Sequence, residues 1–237
     1  MSWAYAIALG MVAAMAGFLA VVLSGFSLLG MLASAYVCLS LMLVAIAYAG
    51  VGPAMLGKNS SGRLTWWAWL LFAPYRVLCH GAFWLARLLE SGPAFVQVDE
   101  SLFLGRQPIG SEARSACWGA VLDLTVEWAE VPSLRLPGAY RLLPVLDGTA
   151  PAPEPLTEAV AWLRARARQG TVLVHCALGH GRSACVVVAY LLAEGKHSTP
   201  REAEAYLRRL RPGVRLNAAQ RRAILSIVRN QPIPDDP

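Results

Sequence analysis

The chain has 237 residues, 56% of them hydrophobic and only 15% charged, with a formal net charge of +6. A soluble globular protein carries about 25% charged residues, so this composition excludes a purely water-soluble chain, and its hydrophobic content excludes a disordered one. The dilution is local: all 36 charged residues lie among the 180 from Lys58 onward, so the long stretch after Glu90 reads as water-soluble and a many-pass transporter is excluded too.

Tyr5–Leu23 and Leu28–Ala49 are apolar throughout, with only Ser24, Gly25, Phe26 and Ser27 between them. About 20 apolar residues carry a helix across the hydrocarbon core, so the pair predicts a two-span transmembrane hairpin over residues 1–57. A cleaved signal peptide would have a basic leading region, and a core hairpin would show a polar face. Neither is present. Gly10, Ala13, Ala14 and Gly17 suit close helix packing in lipid. Lys58, Arg63, Arg76 and Arg87 follow with no acid before Glu90. Positive charge marks the cytoplasmic side, so two spans leave both termini there.

Residues 58–93 form a second segment. Leu64–Leu89 is apolar enough to span, yet Pro74, Arg76, His80, Gly81 and Arg87 interrupt it. Trp66, Trp67, Trp69, Tyr75 and Trp84 favour the headgroup level, where a ring can be half wet. The pattern predicts a bent helix pair lying in the interface; a third span would put the soluble domain on the other side. The five cysteines, Cys38, Cys79, Cys117, Cys176 and Cys185, contain no CxxC pair. Neither a disulfide framework nor a zinc site is supported, and a reducing, cytoplasmic setting is the simpler reading.

In residues 94–237 short apolar runs alternate with helical ones. Phe95–Val98 and Leu102–Leu104 predict an opening hairpin. Ala120–Leu124, Arg141–Val145 and Thr171–His175 predict strands, the last a continuous apolar run of the buried kind. Pro155–Arg168, Ser183–Glu194, Thr199–Leu210 and Asn217–Arg229 predict helices, with Asn217 able to cap the last. Such alternation implies an α/β layer fold, a mostly parallel central sheet flanked by helices.

The chemistry concentrates in His175-Cys176-Ala177-Leu178-Gly179-His180-Gly181-Arg182-Ser183. A buried strand ends at His175 and a helix starts near Ser183, so the loop lies at a helix N-terminus with unpaired N–H groups. Gly179 and Gly181 let it curl into an anion-binding nest. Arg182 offers a planar fork for two phosphate oxygens, and Cys176 sits where these dipoles favour a thiolate.

This nonapeptide resembles the HCxxGxxR phosphate loop of the protein tyrosine phosphatase superfamily, most closely the dual-specificity phosphatases. Val121-Leu122-Asp123-Leu124-Thr125 with Glu127 resembles an early strand of that family's sheet, and Phe103-Leu104-Gly105 its opening turn. The resemblance covers about Phe95 to Arg229 and implies a dual-specificity phosphatase-like fold. It also implies Cys176 as nucleophile, Arg182 as phosphate clamp, Ser183 as stabiliser of the departing thiolate and His175 as orienter of the loop. Ala177, Leu178, Gly179, His180 and Gly181 would complete the phosphate cradle, with no metal and no cofactor. The family takes its general acid from a loop some thirty residues upstream. Asp147 lies 29 residues before Cys176 in a Gly/Pro-rich loop that Pro151, Pro153 and Pro155 would stiffen. Asp123, the competitor, falls inside a strand and reads as structural.

Plainer readings stand beside these. His180 reads as a solvated or substrate-facing side chain rather than a base. Arg208, Arg209 and Arg211 read as a solvated helix face, with a phosphorylated-lipid contact as the sharper option. Asn217 reads as a helix cap, though the family often uses this corner to brace the phosphate loop. The expected activity is phosphate monoester hydrolysis at a membrane, resembling the lipid-directed, phosphatidylglycerophosphate phosphatase-like branch. A phosphotyrosine or phosphoserine/threonine protein phosphatase and a non-catalytic phosphate-binding adaptor are the alternatives. No nucleic-acid partner is expected.

Overall fold

The computed structural model describes residues 27–90 and 92–229, with scattered positions between 7 and 22. The first expected span, Tyr5–Leu23, and its connection to the second therefore lie mostly outside the described residues. The chain divides into two compact units. One holds Met1–Asn59, Arg63–Leu89 and Val126–Ala129; the other holds Ser60–Gly62, Glu90–Thr125 and Glu130–Pro237.

In the first unit, α1 (Leu28–Ile46) starts at Ser27, whose hydroxyl accepts from Gly30 N–H at 3.2 Å. It continues through a π turn to Val51 and breaks where Gly50 and Gly52 take positive φ, 146° and 94°. The apolar helix Leu28–Val51 is 24 residues long, which at about 1.5 Å per residue exceeds the hydrocarbon thickness of about 30 Å. Leu28, Leu29, Met31, Leu32, Leu39 and Met42 point outward, while Ser34, Ser40, Leu41 and Val44 are buried. The following segment is two helices, α2 (Trp66–Leu71) and α3 (Ala73–Leu89), broken at Phe72. Phe83 and His80 of α3 meet the Trp128 ring edge-on, at 5.2 and 5.6 Å between centroids, and Arg76 stacks over Trp69 at 3.7 Å. Trp66, Leu70, Val77, Leu88 and Leu89 stay exposed.

The second unit is a five-stranded sheet of order β1-β2-β5-β3-β4: β1 (Phe95–Gln97), β2 (Leu102–Arg106), β3 (Ala120–Asp123), β4 (Tyr140–Leu142) and β5 (Val172–Cys176). Only β1 is antiparallel, as the predicted hairpin requires; the other three pairings are parallel. Helices α4 (Gly110–Arg114), α5 (Pro153–Ala167), α6 (Arg182–Ala193), α7 (Pro200–Leu210) and α8 (Ala218–Arg229) complete it. Central β5 is buried at all five positions, and α6 has no polar face because it packs against α5, α7 and α8. Each fully buried Leu or Val here contributes about 1.5–3 kcal/mol.

Two sequence expectations fail here for physical reasons. The strand expected over Arg141–Val145 ends at Leu142 as the chain draws away from β3, Leu143 N–H reaching Asp123 O at 2.8 Å but Val145 N–H reaching Leu124 O only at 3.4 Å. Pro153 and Pro155 do not stiffen a loop. They open α5, where a missing N–H costs nothing, leaving Pro151 alone in the preceding turn.

Candidate active site

Register brings the site together. Beside Cys176 at the end of β5 lies Arg106 of β2, and beside His175 lies Asp123 of β3. All are at carboxyl ends of parallel strands, where open α/β sheets place their clefts. The chain then turns through residues 177–181 and enters α6 at Arg182, with Gly181 as N-cap. Gly179 has φ 77°, and a Cβ there would lie 2.6 Å from the Gly105 carbonyl carbon and oxygen. No other residue fits. With the loop so curled, the buried Cys176 Sγ accepts from Gly179 N–H at 3.3 Å and Ser183 Oγ–H at 3.2 Å. Two donors on one sulfur stabilise negative charge there.

Arg182 is 1% exposed. Its Nη1 donates to Val145 O at 3.0 Å and Leu124 O at 3.4 Å, while Nη2 lies 3.2 Å from Asp147 Oδ1. The early end of β4 frees the Val145 carbonyl for this bond. Asp147, by contrast, keeps 69% of its side chain exposed, so the acid and the guanidinium share one edge of the cradle while the acid stays open to water.

Beneath the loop is a buried polar floor. His175 Nε2 lies 2.8 Å from Glu130 Oε2 and 4.0 Å from Asp123 Oδ1. Asp123 accepts from the Thr125 N–H and hydroxyl and from Tyr140 OH, each at 2.7 Å. Glu130 Oε1 accepts from Gln107 Nε2 at 2.9 Å and Val131 N–H at 2.7 Å. Burial, then the charge of Asp123 and its hydrogen bond, push the Tyr140 phenol far up, keeping it a donor. Asp123, Glu130 and His175 are a group that could hold a metal ion, with ligand atoms within 4.8 Å of one another. Asp123 and the Oε1 of Glu130 already accept hydrogen bonds from protein donors, which suits a structural support. Asp123 thus belongs to the floor. Glu130 escaped the sequence reading because the two acids of Thr125-Val126-Glu127-Trp128-Ala129-Glu130, outside any predicted element, carry no pattern.

The rim corrects two further readings. His180 is not freely solvated: only 18% of its side chain is exposed, and Nε2 lies 3.2 Å from Glu90 Oε2. Its ring fills the space where Gly213 lacks a side chain, 2.3 Å from a Cβ built there. Burial lowers the His180 pKa; Glu90 opposes this and Arg211 adds to it. Arg211 is no solvated face either. It is buried, with Nη1 on Pro93 O at 2.9 Å and Nη2 on Leu178 O at 2.8 Å, so it braces the loop of residues 177–181. Asn217 does cap α8, accepting from Gln220 N–H at 2.9 Å.

Residues 144–230 match the family described as dual specificity phosphatase, catalytic domain. Over 77 residues the chain is 42% identical to the phosphatidylglycerophosphate phosphatase PTPMT1 of Arabidopsis thaliana, covering 32% of this chain and 23% of that protein. Over 144 residues it is 32% identical to PTPMT2 of the same plant, also a phosphatidylglycerophosphate phosphatase, covering 57% and 63%. The chain therefore spans less than two thirds of either curated relative. The solved structure of Tk-PTP in its active form superposes with a TM-score of 0.51 at 30% identity, over 59% of this chain and 99% of that one.

Proposed function

The chain belongs to the dual-specificity phosphatase family, and from that premise we propose that it hydrolyses a phosphate monoester on a lipid headgroup at a membrane surface. The observation that carries the chemistry is the Cys176 sulfur, seated in the curled loop under two donors. Its thiolate attacks phosphorus, forming the S–P bond as the P–O bond breaks, and Asp147 gives its proton to the leaving oxygen. Arg182 and the N–H groups of residues 177–181 hold the equatorial oxygens. Water then attacks phosphorus, Asp147 takes its proton, and Ser183 steadies the thiolate as it leaves. His175, fixed by Glu130, holds the base of the loop.

Support for a lipid substrate comes from the two plant relatives, both phosphatidylglycerophosphate phosphatases, and from the outward apolar faces of α1, α2 and α3. Leu28–Val51 crosses the bilayer, with Tyr5–Leu23 as a second span, and the basic run of Lys58, Arg63, Arg76 and Arg87 marks the cytoplasmic side. The α2–α3 pair lies at headgroup depth. Tethering the enzyme in the surface that holds its substrate raises effective concentration without a new contact. The test is turnover by the full chain in vesicles containing phosphatidylglycerophosphate or phosphoinositides, against a phosphotyrosine peptide, with Cys176→Ser as control. Phosphate release from lipid is expected. Strong peptide turnover with none on lipid overturns the substrate reading.

A further inference from the structure

The acid loop does not hold itself in place. Asp147 rides on a tight turn in which Thr149 N–H and its hydroxyl bond Leu146 O at 3.1 and 2.8 Å, and Gly148 takes φ 68°. Beyond that turn, two carbonyls are held by side chains from a region about 70 residues later in the chain. Asn217 Nδ2 donates to Gly148 O at 2.8 Å, and Gln220 Nε2 donates to Thr149 O at 3.0 Å.

The same two amides lock each other. Asn217 Oδ1 accepts from Gln220 N–H at 2.9 Å, and Gln220 Oε1 accepts from Asn217 N–H at 3.0 Å, a reciprocal capping box at the start of α8. Each amide thus has its oxygen fixed by the helix and its nitrogen aimed at the acid loop, which leaves neither free to flip. Gln220 also abuts the phosphate loop: a Cβ at Gly181 would lie 3.1 Å from its Nε2. One helical turn therefore touches both the loop that carries the acid and the last residue of the loop that carries the nucleophile.

We infer that Asn217 and Gln220 are positioning residues for proton transfer, setting the height of Asp147 over the phosphate cradle. The inference rests on the reading of Asp147 as general acid. It assigns these two amides a role beyond capping, and the structure itself supplies variants that separate the two jobs. Asn217→Asp and Gln220→Glu each keep the oxygen that caps the helix and lose the N–H₂ that holds the acid loop.

The experiment compares two soluble phosphate monoesters with the full-length protein: an aryl ester whose leaving group departs without a proton, and an alkyl ester whose leaving group needs one. General acid catalysis contributes about 10²–10⁴-fold where protonation is required. Each variant is expected to lower the alkyl-to-aryl ratio of kcat by about tenfold, with Asp147→Asn lowering it further. Because the ratio is taken within one preparation, a smaller folded fraction does not move it. In Asn217→Asp combined with Asp147→Asn, the ratio is expected to stay at the Asp147→Asn value, since a misplaced acid and an absent one are one defect. If Asp147→Asn shows the selective loss and neither amide variant does, or if their losses add fully to it, the latch is overturned and the acid stands. If Asp147→Asn itself loses both substrates equally, the acid assignment falls and the latch with it.

Discussion

The two halves of the candidate site are built by opposite means. The phosphate loop is local: one run from His175 to Ser183 supplies sulfur, hydroxyl, guanidinium and N–H groups, held between a buried strand and a buried helix. The acid loop is assembled from afar, with Asp147 largely in water and its backbone carried by Asn217 and Gln220. Stabilisation of charge calls for fixed dipoles in a dry place, whereas an acid that exchanges protons with water must reach it. The difference teaches that the Cys176 loop can be written as a motif, while the Asp147 loop is a matter of tertiary arrangement.

The contrast can be broken most severely at the sulfur. Cys176→Ser is expected to lower kcat by roughly 10⁴-fold or more, the scale seen when a nucleophile is removed, measured as phosphate release under saturating substrate. Gly179→Ala comes next. Its methyl group would meet the Gly105 backbone at 2.6 Å, and displacing the loop by such an amount costs about 10²-fold; a normal kcat in this variant would mean that the curl is not required. Glu130→Gln leaves His175 with a weaker buried partner, and a loss of about 2 kcal/mol is expected by urea denaturation. An unchanged midpoint would remove Glu130 from the floor.

The smallest effect lies where Glu204 ties α7 to α8. Its carboxylate accepts from Arg221 at 3.0 Å and from Leu216 N–H at 3.3 Å. Burial alone would raise its pKa, but the hydrogen bonds from Arg221 and Leu216, with the charges of Arg221 and Arg208, outweigh that and hold it below the ordinary value. A carboxylate depressed by folding stabilises the protein above its unfolded pKa, and that part is lost as pH falls through the lowered value. Glu204→Gln should therefore show its largest Tm deficit at neutral pH, closing as the solution is acidified below the usual carboxylate range. A deficit independent of pH would assign Glu204 to packing alone.

What could be read from the residues divides along the same line. The core helix α6 and the Cys176 loop were legible because each depends on neighbours within a few positions, and the mostly parallel sheet, whose partners lie tens of residues apart, was inferred from the alternation of strands and helices. Asp147 was singled out by its spacing to Cys176, and the fold brings its carboxylate to 3.2 Å from Arg182. Arg211 was misread as solvated because its burial depends on two carbonyls, of Pro93 and Leu178, that only the folded chain brings near it. The signal for Gln220 was present, since Asn217-Ala218-Ala219-Gln220 has the spacing of a capping box. Its second task was hidden, because a helix cap looks the same whether or not its amide nitrogens have somewhere to go.

The contact between Gly179 and Gly105 has a consequence for engineering. The nonapeptide is not a portable cassette: its curl leaves no room for a side chain at Gly179, because the loop rests directly on the backbone of β2. Moved into another scaffold, it would keep its shape only if the host offered a strand backbone at the same close distance on the matching rung.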